Sequence, residues 1–189
     1  MKFEIIKAFN TKTSTWSGGT TSEVYIFPQG SEFQKRDFLF RLSVATVEIE
    51  ESTFTPLPEI NRTLMVLKGN LHLFHENHHE KKLREFEQDS FKGDWNTSSK
   101  GKVTDFNLMC KGKTSGELKH IQLTEIHPSK INLSTEKEIF FVVKGSLIFE
   151  NQILEKGDLL IFENENQVQE IEFSSDSCDI IQIKIDLGE

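Results

Sequence analysis

Along most of this 189-residue chain, polar and apolar positions alternate, or short apolar runs are cut off by Gly, Pro, Asn and Asp. No stretch long enough for three helical turns carries apolar residues at i, i+3, i+4 and i+7. Successive side chains on a strand point to opposite faces, so this pattern predicts a mostly β protein. Predicted strands run from Glu23 to Phe27, Leu39 to Ile49, Thr63 to Leu67, Leu71 to His75, Val103 to Lys111, Leu118 to Ile126, Ile139 to Val143, Leu147 to Glu150, Leu159 to Phe162 and Cys178 to Ile185. The 16 Phe residues suit a sheet-rich core that needs large apolar volume on its inward faces.

An internal repeat organises the chain. Val66-Leu67-Lys68-Gly69-Asn70-Leu71 returns 76 residues later as Val142-Val143-Lys144-Gly145-Ser146-Leu147. A Gly-Asp step follows each copy, at Gly93-Asp94 and Gly157-Asp158. Gly tolerates positive φ and Asp bonds its own backbone, so both steps read as tight turns. From glycine to glycine the first copy spans 24 residues and the second 12. The first therefore carries a longer excursion through Glu76-Asn77-His78-His79-Glu80-Lys81-Lys82, read as a solvated hairpin tip. A strand ending in V-L-x-G, a hairpin and a G-D turn before another strand resembles the cupin barrel. The expected fold is all-β and bicupin: two related antiparallel β-barrels, cupin or jelly-roll-like. The join falls at Lys111-Gly112-Lys113-Thr114-Ser115-Gly116, which lacks apolar residues and divides the chain into barrels at 1–112 and 113–189.

Charge narrows the partners. Lys plus Arg total 22 against 30 for Asp plus Glu, a net charge of -8, which argues against a protein that tracks a phosphate backbone. The longest uninterrupted apolar run, Ile139 to Val143, is far too short to span a membrane as a helix. Met1-Lys2-Phe3-Glu4 lacks the apolar stretch of a secretory signal, so the expected location is the cytoplasm. Cys110 and Cys178 each sit in a strand-like apolar run and read as reduced, buried thiols.

Metal-dependent cupins carry a Glu seven residues before the V-L-x-G glycine, two His preceding that Glu by six and four residues, and another His after the G-D turn. Those places hold Pro56, Pro58 and Arg62 in the first copy, and Asn132, Ser134 and Glu138 in the second. The last His falls near Asn166 in the later copy and near Lys102 and Val103 in the earlier one. A transition metal needs imidazole, thiolate or carboxylate donors converging from at least three positions. The usual cupin site is lost in both halves, and the expectation is a protein with no stoichiometric metal and no cofactor. His72, His75, His78 and His79 crowd into eight residues. They read as decorating an exposed hairpin, the alternative being an adventitious metal or pH-sensing patch. His120 and His127 suggest nothing specific.

The polar residues that stand out lie in the first half. Alternation puts Arg41, Ser43, Ala45, Val47 and Ile49 on one strand face, with Arg41 and Ser43 nearer a barrel mouth where a guanidinium reaches a bound anion. Asp105, Asn107 and Met109 share one face of a later strand, while Phe106, Leu108 and Cys110 share the other. An Asp and an Asn two apart either order a polar pocket or satisfy each other and a nearby Arg.

Trp16-Ser17-Gly18-Gly19-Thr20-Thr21-Ser22-Glu23, Arg41-Leu42-Ser43-Val44-Ala45, Phe54-Thr55-Pro56-Leu57-Pro58 with Arg62, Val66-Leu67-Lys68-Gly69, Phe91-Lys92-Gly93-Asp94 and Asp105-Phe106-Asn107-Leu108-Met109 together resemble the HutD/Ves family in order and spacing. The resemblance is dense from Trp16 to Met109. It implies a bicupin-type fold, a bacterial cytoplasmic location, an association with histidine utilisation, and metal-free binding of a pathway intermediate such as a formylated or formimino glutamate in a regulatory role. Carried over position by position, Trp16, Thr20, Glu23, Arg41, Ser43, Arg62, Asp105, Asn107 and Met109 match the family's polar and aromatic signature. Glu59 stands where members commonly have Gly, and Asn61 replaces an Asp before Arg62.

The leading expectation is metal-independent binding of a small anionic metabolite, with Arg41 and Arg62 as fork-shaped carboxylate donors. Trp16 would wall the site, Thr20, Ser43 and Asn107 would supply neutral hydrogen bonds, and Asp105 would orient one Arg. A purely structural alternative pairs Arg41 with Asp105 and places Trp16 in the core. The rivals in function are a cofactorless isomerase or hydrolase with Asp105 or Glu23 as general base, and a protein-interaction module, with a homodimer as one form.

Overall fold

The computed structural model describes residues 2–8, 11–124, 129–164 and 168–188. Strand β1 (Lys2–Ile6) is followed by β2 (Lys12–Trp16), β3 (Gly19–Phe27), β4 (Phe40–Val47), β5 (Glu51–Thr53), β6 (Ile60–Gly69), β7 (Leu71–His75), β8 (Glu80–Leu83), β9 (Gln88–Lys92), β10 (Thr97–Lys100) and β11 (Val103–Lys111). Then come β12 (Ser115–Leu123), β13 (Ser129–Leu133), β14 (Lys137–Phe149), β15 (Gln152–Glu155), β16 (Leu159–Glu163), β17 (Gln169–Phe173) and β18 (Cys178–Asp186). The fold is all-β, and no helix among the described residues is long and apolar enough to cross a membrane.

The chain forms two compact units, Thr11–Ser115 and Gly116–Glu189 joined by Met1–Asn10. The division falls inside the expected join, but the first strand is not where 1–112 would put it. β1 pairs antiparallel with β16, Phe3 opposite Phe162, and its Phe3 ring meets Phe149 edge-on at 5.2 Å. A pairing across some 160 residues leaves no trace in local alternation.

In the Thr11–Ser115 unit a six-stranded sheet, ordered β2-β3-β4-β11-β6-β9, and a four-stranded sheet, ordered β5-β10-β7-β8, share a core. Leu64 and Val66 of β6, Phe91 of β9 and Val103 of β11 meet Leu71, Leu73 and Leu83 from the smaller sheet. In the other unit a larger sheet, β1-β16-β14-β18-β12 with β15 on β14, packs on the β13-β17 pair through Phe140, Phe149, Phe162 and Phe173. Both strand orders are linear. The described sheets do not close on themselves, so the expected closed barrels are corrected to facing sheets, their ladders ending at polar edge strands such as Lys12–Trp16.

The repeat survives in the backbone with one change of register. Gly69 (φ 96°) and Gly145 (φ 78°) occupy matching bends where a Cβ would lie 2.7 Å from Lys102 O and 2.1 Å from Ser177 O, respectively. Val142 N–H donates to Asp158 O and its carbonyl accepts from Gly157 N–H; Val66 makes the same pair of bonds with Glu87 O and Phe86 N–H. Asp158 accepts from Glu155 N–H as Glu87 accepts from Arg84 N–H. The counterpart of Gly157-Asp158 is therefore Phe86-Glu87, with Phe86 at φ 64°, and not Gly93-Asp94. Gly93 lies beyond β9, where its N–H donates to Ile60 O. The Leu39 to Ile49 strand also ends early: β4 stops at Val47, and Ile49 is exposed rather than inward-facing.

Candidate functional site

Strand β11 lies between β4 and β6, and its register builds the site row by row. Met109 is flanked by Arg41 and Arg62, Asn107 by Ser43 and Leu64, and Asp105 by Ala45 and Val66. Directly opposed residues share a face, so the two arginines project from strands about 10 Å apart with Met109 between them. They line a cavity of about 360 Å³ together with Ser43, Asp105, Asn107 and Met109. Ser14, Trp16 and Thr21 close it on the β2–β3 side, and Phe33, Phe54 and Leu57 come from connections.

Arg41 is buried and committed to the protein: Nε donates to Glu23 at 2.7 Å and Nη1 to Ser43 Oγ at 3.0 Å, with the guanidinium 4.4 Å from the Phe33 ring centre. Arg62 is less satisfied. Its Nη2 donates to Asn107 Oδ1 at 3.0 Å, while the buried Nε has no hydrogen-bond partner among the described residues. Phe54 and Phe91 place their ring centres 4.7 and 5.2 Å from its guanidinium. Burial, with Arg41 nearby adding repulsion and Asp105 opposing both, lowers the Arg62 pKa to about 10. Asp105 is 3% exposed, and burial pushes its carboxyl up to about 7 against the pull of Arg62 and the hydrogen bond from Asn107 Nδ2. The cavity thus holds one neutralised arginine, one under-partnered arginine, and a carboxyl that titrates near neutrality.

Of the residues expected at the site, Trp16, Arg41, Ser43, Arg62, Asp105, Asn107 and Met109 line the cavity. Glu23 acts from behind, through Arg41. Thr20 does not line it: Thr20 opposes Thr46, which opposes Thr104, on the other face of the sheet, and Thr21 opposite Ala45 is the lining residue. The Arg41–Asp105 pair of the structural alternative is absent among the described contacts, since Arg41 takes Glu23. Trp16 is 38% exposed, outside the core, lying over Gly18 where any Cβ would strike its ring at 2.2 Å. Phe33 and Phe54 also line the cavity, beyond the expected residues; Phe54 stands in the Phe54–Pro58 family motif, and a ring set beside an inward-facing arginine is the available signal.

The other unit supplies an internal comparison. Glu138 opposes Phe162 as Arg62 opposes Phe91, confirming that the two positions correspond. Glu138 is fully buried, and its carboxylate accepts from Gln182 Nε2 at 2.7 Å, Thr135 N–H at 3.1 Å and Ser134 N–H. Gln182 stands where Asn107 stands in the first unit. The same fold position is thus saturated in one unit and left open in the other. Asn166, one of the expected metal positions, and His127 lie outside the described residues.

Two expectations outside the cavity are also corrected or explained. His75 is not on an exposed hairpin: it is buried, with Nε2 3.1 Å from Asp89 Oδ2 and Nδ1 2.8 Å from Thr97 Oγ1. His120 pairs with Asp179 at 2.8 Å. Glu59 has φ 66°, the left-handed conformation that favours glycine, while Asn61 is exposed and does not line the cavity.

The sequence matches the HutD family profile over residues 8–178. The chain belongs to the HutD family. No curated protein matches it in sequence. Among solved structures, this HutD-family chain is similar to a conserved protein of unknown function from Pseudomonas aeruginosa PAO1 (20% identity, TM-score 0.84, covering 98% of this chain and 100% of that one). It is also similar to HutD from Pseudomonas fluorescens SBW25, solved in a formate condition (18%, TM-score 0.76, 98% and 100%). The Escherichia coli protein YhhW shares 12% identity at TM-score 0.73, covering 96% and 97%. At these identities the likeness is one of cupin-like fold.

Proposed function

We propose that this HutD-family protein is a bicupin whose Thr11–Ser115 unit binds a small carboxylate metabolite without using a metal. One observation carries the reading: the buried Arg62 Nε has no acceptor among the described residues, at the position where the other unit gives the Glu138 carboxylate three donors. A guanidinium stripped of water gains most from a charged acceptor, and a carboxylate accepts from Nε and an Nη side by side. The cavity of about 360 Å³ suits a compact ligand of metabolite size. Arg62 takes the carboxylate and Ser43, Asn107 and Thr21 offer polar lining for the rest of the ligand, which fits a formylated or formimino glutamate and a regulatory role in histidine utilisation. Cytoplasmic action on a soluble metabolite belongs to the same reading. Calorimetric titration with N-formylglutamate, formiminoglutamate, glutamate and acetate tests it: saturable binding of the glutamate derivatives in preference to acetate supports the proposal, and no binding of any of them overturns it.

A second reading is favoured by Asp105. A carboxyl raised to about 7 inside a ligand cavity has the acidity of a general acid or base, which is the requirement for a cofactorless isomerase or hydrolase. Product formation by wild-type protein, lost in Asp105→Asn while carboxylate binding persists, would decide for the enzyme.

A further inference from the structure

A cluster of histidines lies outside the cavity and has no part in carboxylate binding. β7 ends at His75 and β8 starts at Glu80, so His75 and His79 stand at the two shoulders of one hairpin, tied by His75 N–H donating to His79 O at 2.9 Å. Asp89 on β9 meets both: its Oδ2 lies 3.1 Å from His75 Nε2 and 2.8 Å from His79 Nε2. The three ligand atoms all fall within 4.8 Å of one another.

We propose that His75, His79 and Asp89 form a binding site for a divalent late first-row transition metal of the zinc class, with at least one coordination position open to solvent. Bonds of about 2.0–2.1 Å in a tetrahedral site set neighbouring donors roughly 3.3 Å apart, so the two His–Asp separations need to open by only a few tenths of an ångström. His79 makes the remaining adjustment: its side chain is 39% exposed at the hairpin shoulder, whereas the His75 side chain is fully buried. The fixed partner is already oriented. His75 Nδ1 lies 2.8 Å from Thr97 Oγ1, and the ring is held against Phe91 at 4.5 Å and Trp95 at 5.6 Å. A hydrogen bond at one ring nitrogen is what fixes the other as a metal ligand.

Charge fits as well. Lys81 Nζ takes the other carboxylate oxygen, Oδ1, at 3.3 Å and leaves Oδ2 to the imidazoles. The H-x3-H spacing of His75 and His79 is common among zinc ligands. His78 turns away and stacks on Trp95 at 3.7 Å, so it is not a ligand. The site departs from the expectation of a metal-free chain because its ligands lie far in sequence from the cupin positions at 56, 58 and 62. Metal here would staple the β7–β8 hairpin to β9 and offer a water or an exogenous ligand the open position.

The test uses full-length protein freed of any histidine tag and stripped with chelator, titrated with ZnCl2 by calorimetry, in parallel with His79→Ala, Asp89→Asn and His78→Ala. The expected result is one equivalent of zinc bound with Kd about 10 µM or tighter, weakened at least about tenfold in His79→Ala and Asp89→Asn and unchanged in His78→Ala. His79→Ala removes a partly exposed ring and leaves Asp89 its bonds to His75 and Lys81, so it keeps the test meaningful if Asp89→Asn fails to fold. No binding up to about 100 µM zinc, or binding that survives His79→Ala, overturns the proposal. Carboxylate affinity measured with and without zinc keeps this outcome separate from that of the cavity, since either site can fail alone.

Discussion

Replacing Arg62 with Met removes the charge and both donor types while keeping most of the side chain's length. In the free protein the change loses the 3.0 Å bond to Asn107 and the contacts to Phe54 and Phe91. It also removes a desolvated cation and a buried Nε with no acceptor. These effects oppose each other, so the net change in stability should stay within about 1 kcal/mol, or about 2–4 °C in Tm. Binding is different, because nothing offsets the loss of charge-assisted donors to a carboxylate. Truncating such a partner costs about 2–3 kcal/mol, an affinity loss of about 30- to 150-fold. Titration of wild type and Arg62→Met with N-formylglutamate near pH 6 reads the difference directly, and near-ultraviolet circular dichroism checks the fold. Arg62→Lys keeps the charge without the fork and should fall between the two. Unchanged affinity in a folded Arg62→Met would refute the assignment of the carboxylate to Arg62.

Asp105 sets a pH dependence of defined sign. Its folded-state pKa is raised to about 7 from 3.8, so the folded chain holds a proton the unfolded chain has lost, and the stability this contributes is complete below about pH 4 and lost as pH rises to about 7. Ionised Asp105 also repels a bound anion, so carboxylate affinity should fall by roughly tenfold between pH 6 and 8, and Asp105→Asn should flatten that profile. A wild-type profile without slope would contradict the assignment of this titration to Asp105. Glu59→Gly relieves a left-handed residue and should raise stability by about 0.5–1 kcal/mol in denaturant unfolding, with carboxylate affinity unchanged. Thr21→Ala should weaken carboxylate binding several-fold while Thr20→Ala leaves it intact, since only Thr21 faces the cavity; the reverse order would mean the sheet register is misplaced.

What the sequence showed and what it hid follow from the range of each interaction. Alternation revealed the long half-buried strands, because Leu42, Phe106 and Ile183 bury one face and their neighbours the other. It does not reveal β2 (KTSTW), polar up to its last residue, or β10 (TSSK), polar throughout; both belong to the sheets through hydrogen bonds to β3, β5 and β7. The same alternation puts Arg41 with Ser43 on one strand face and Asp105 with Asn107 on another; the β4–β11 register that joins the two into one wall, and the β3–β4 register that turns Thr21 rather than the signature residue Thr20 to the cavity, leave no mark in local pattern. The repeat was visible at Gly69 and Gly145, but its second turn was misread by identity. Phe86 adopts the positive φ that Gly157 adopts, and Glu87 does with a longer side chain what Asp158 does. His75 was misread for a related reason: its buried partners Asp89 and Thr97 come from two other strands.

The central claim is that a carboxylate completes the hydrogen bonding of Arg62. The most direct measurement is the arginine Nε–H region of the proton–nitrogen NMR spectrum during titration with N-formylglutamate, with Arg62→Met used to assign the Arg62 signal. The account predicts that this signal moves downfield as its proton gains a charged acceptor, saturating with the same Kd as calorimetry, while the Arg41 signal, already bonded to Glu23, moves less. An Arg62 Nε–H signal that stays in place while the ligand binds would contradict it.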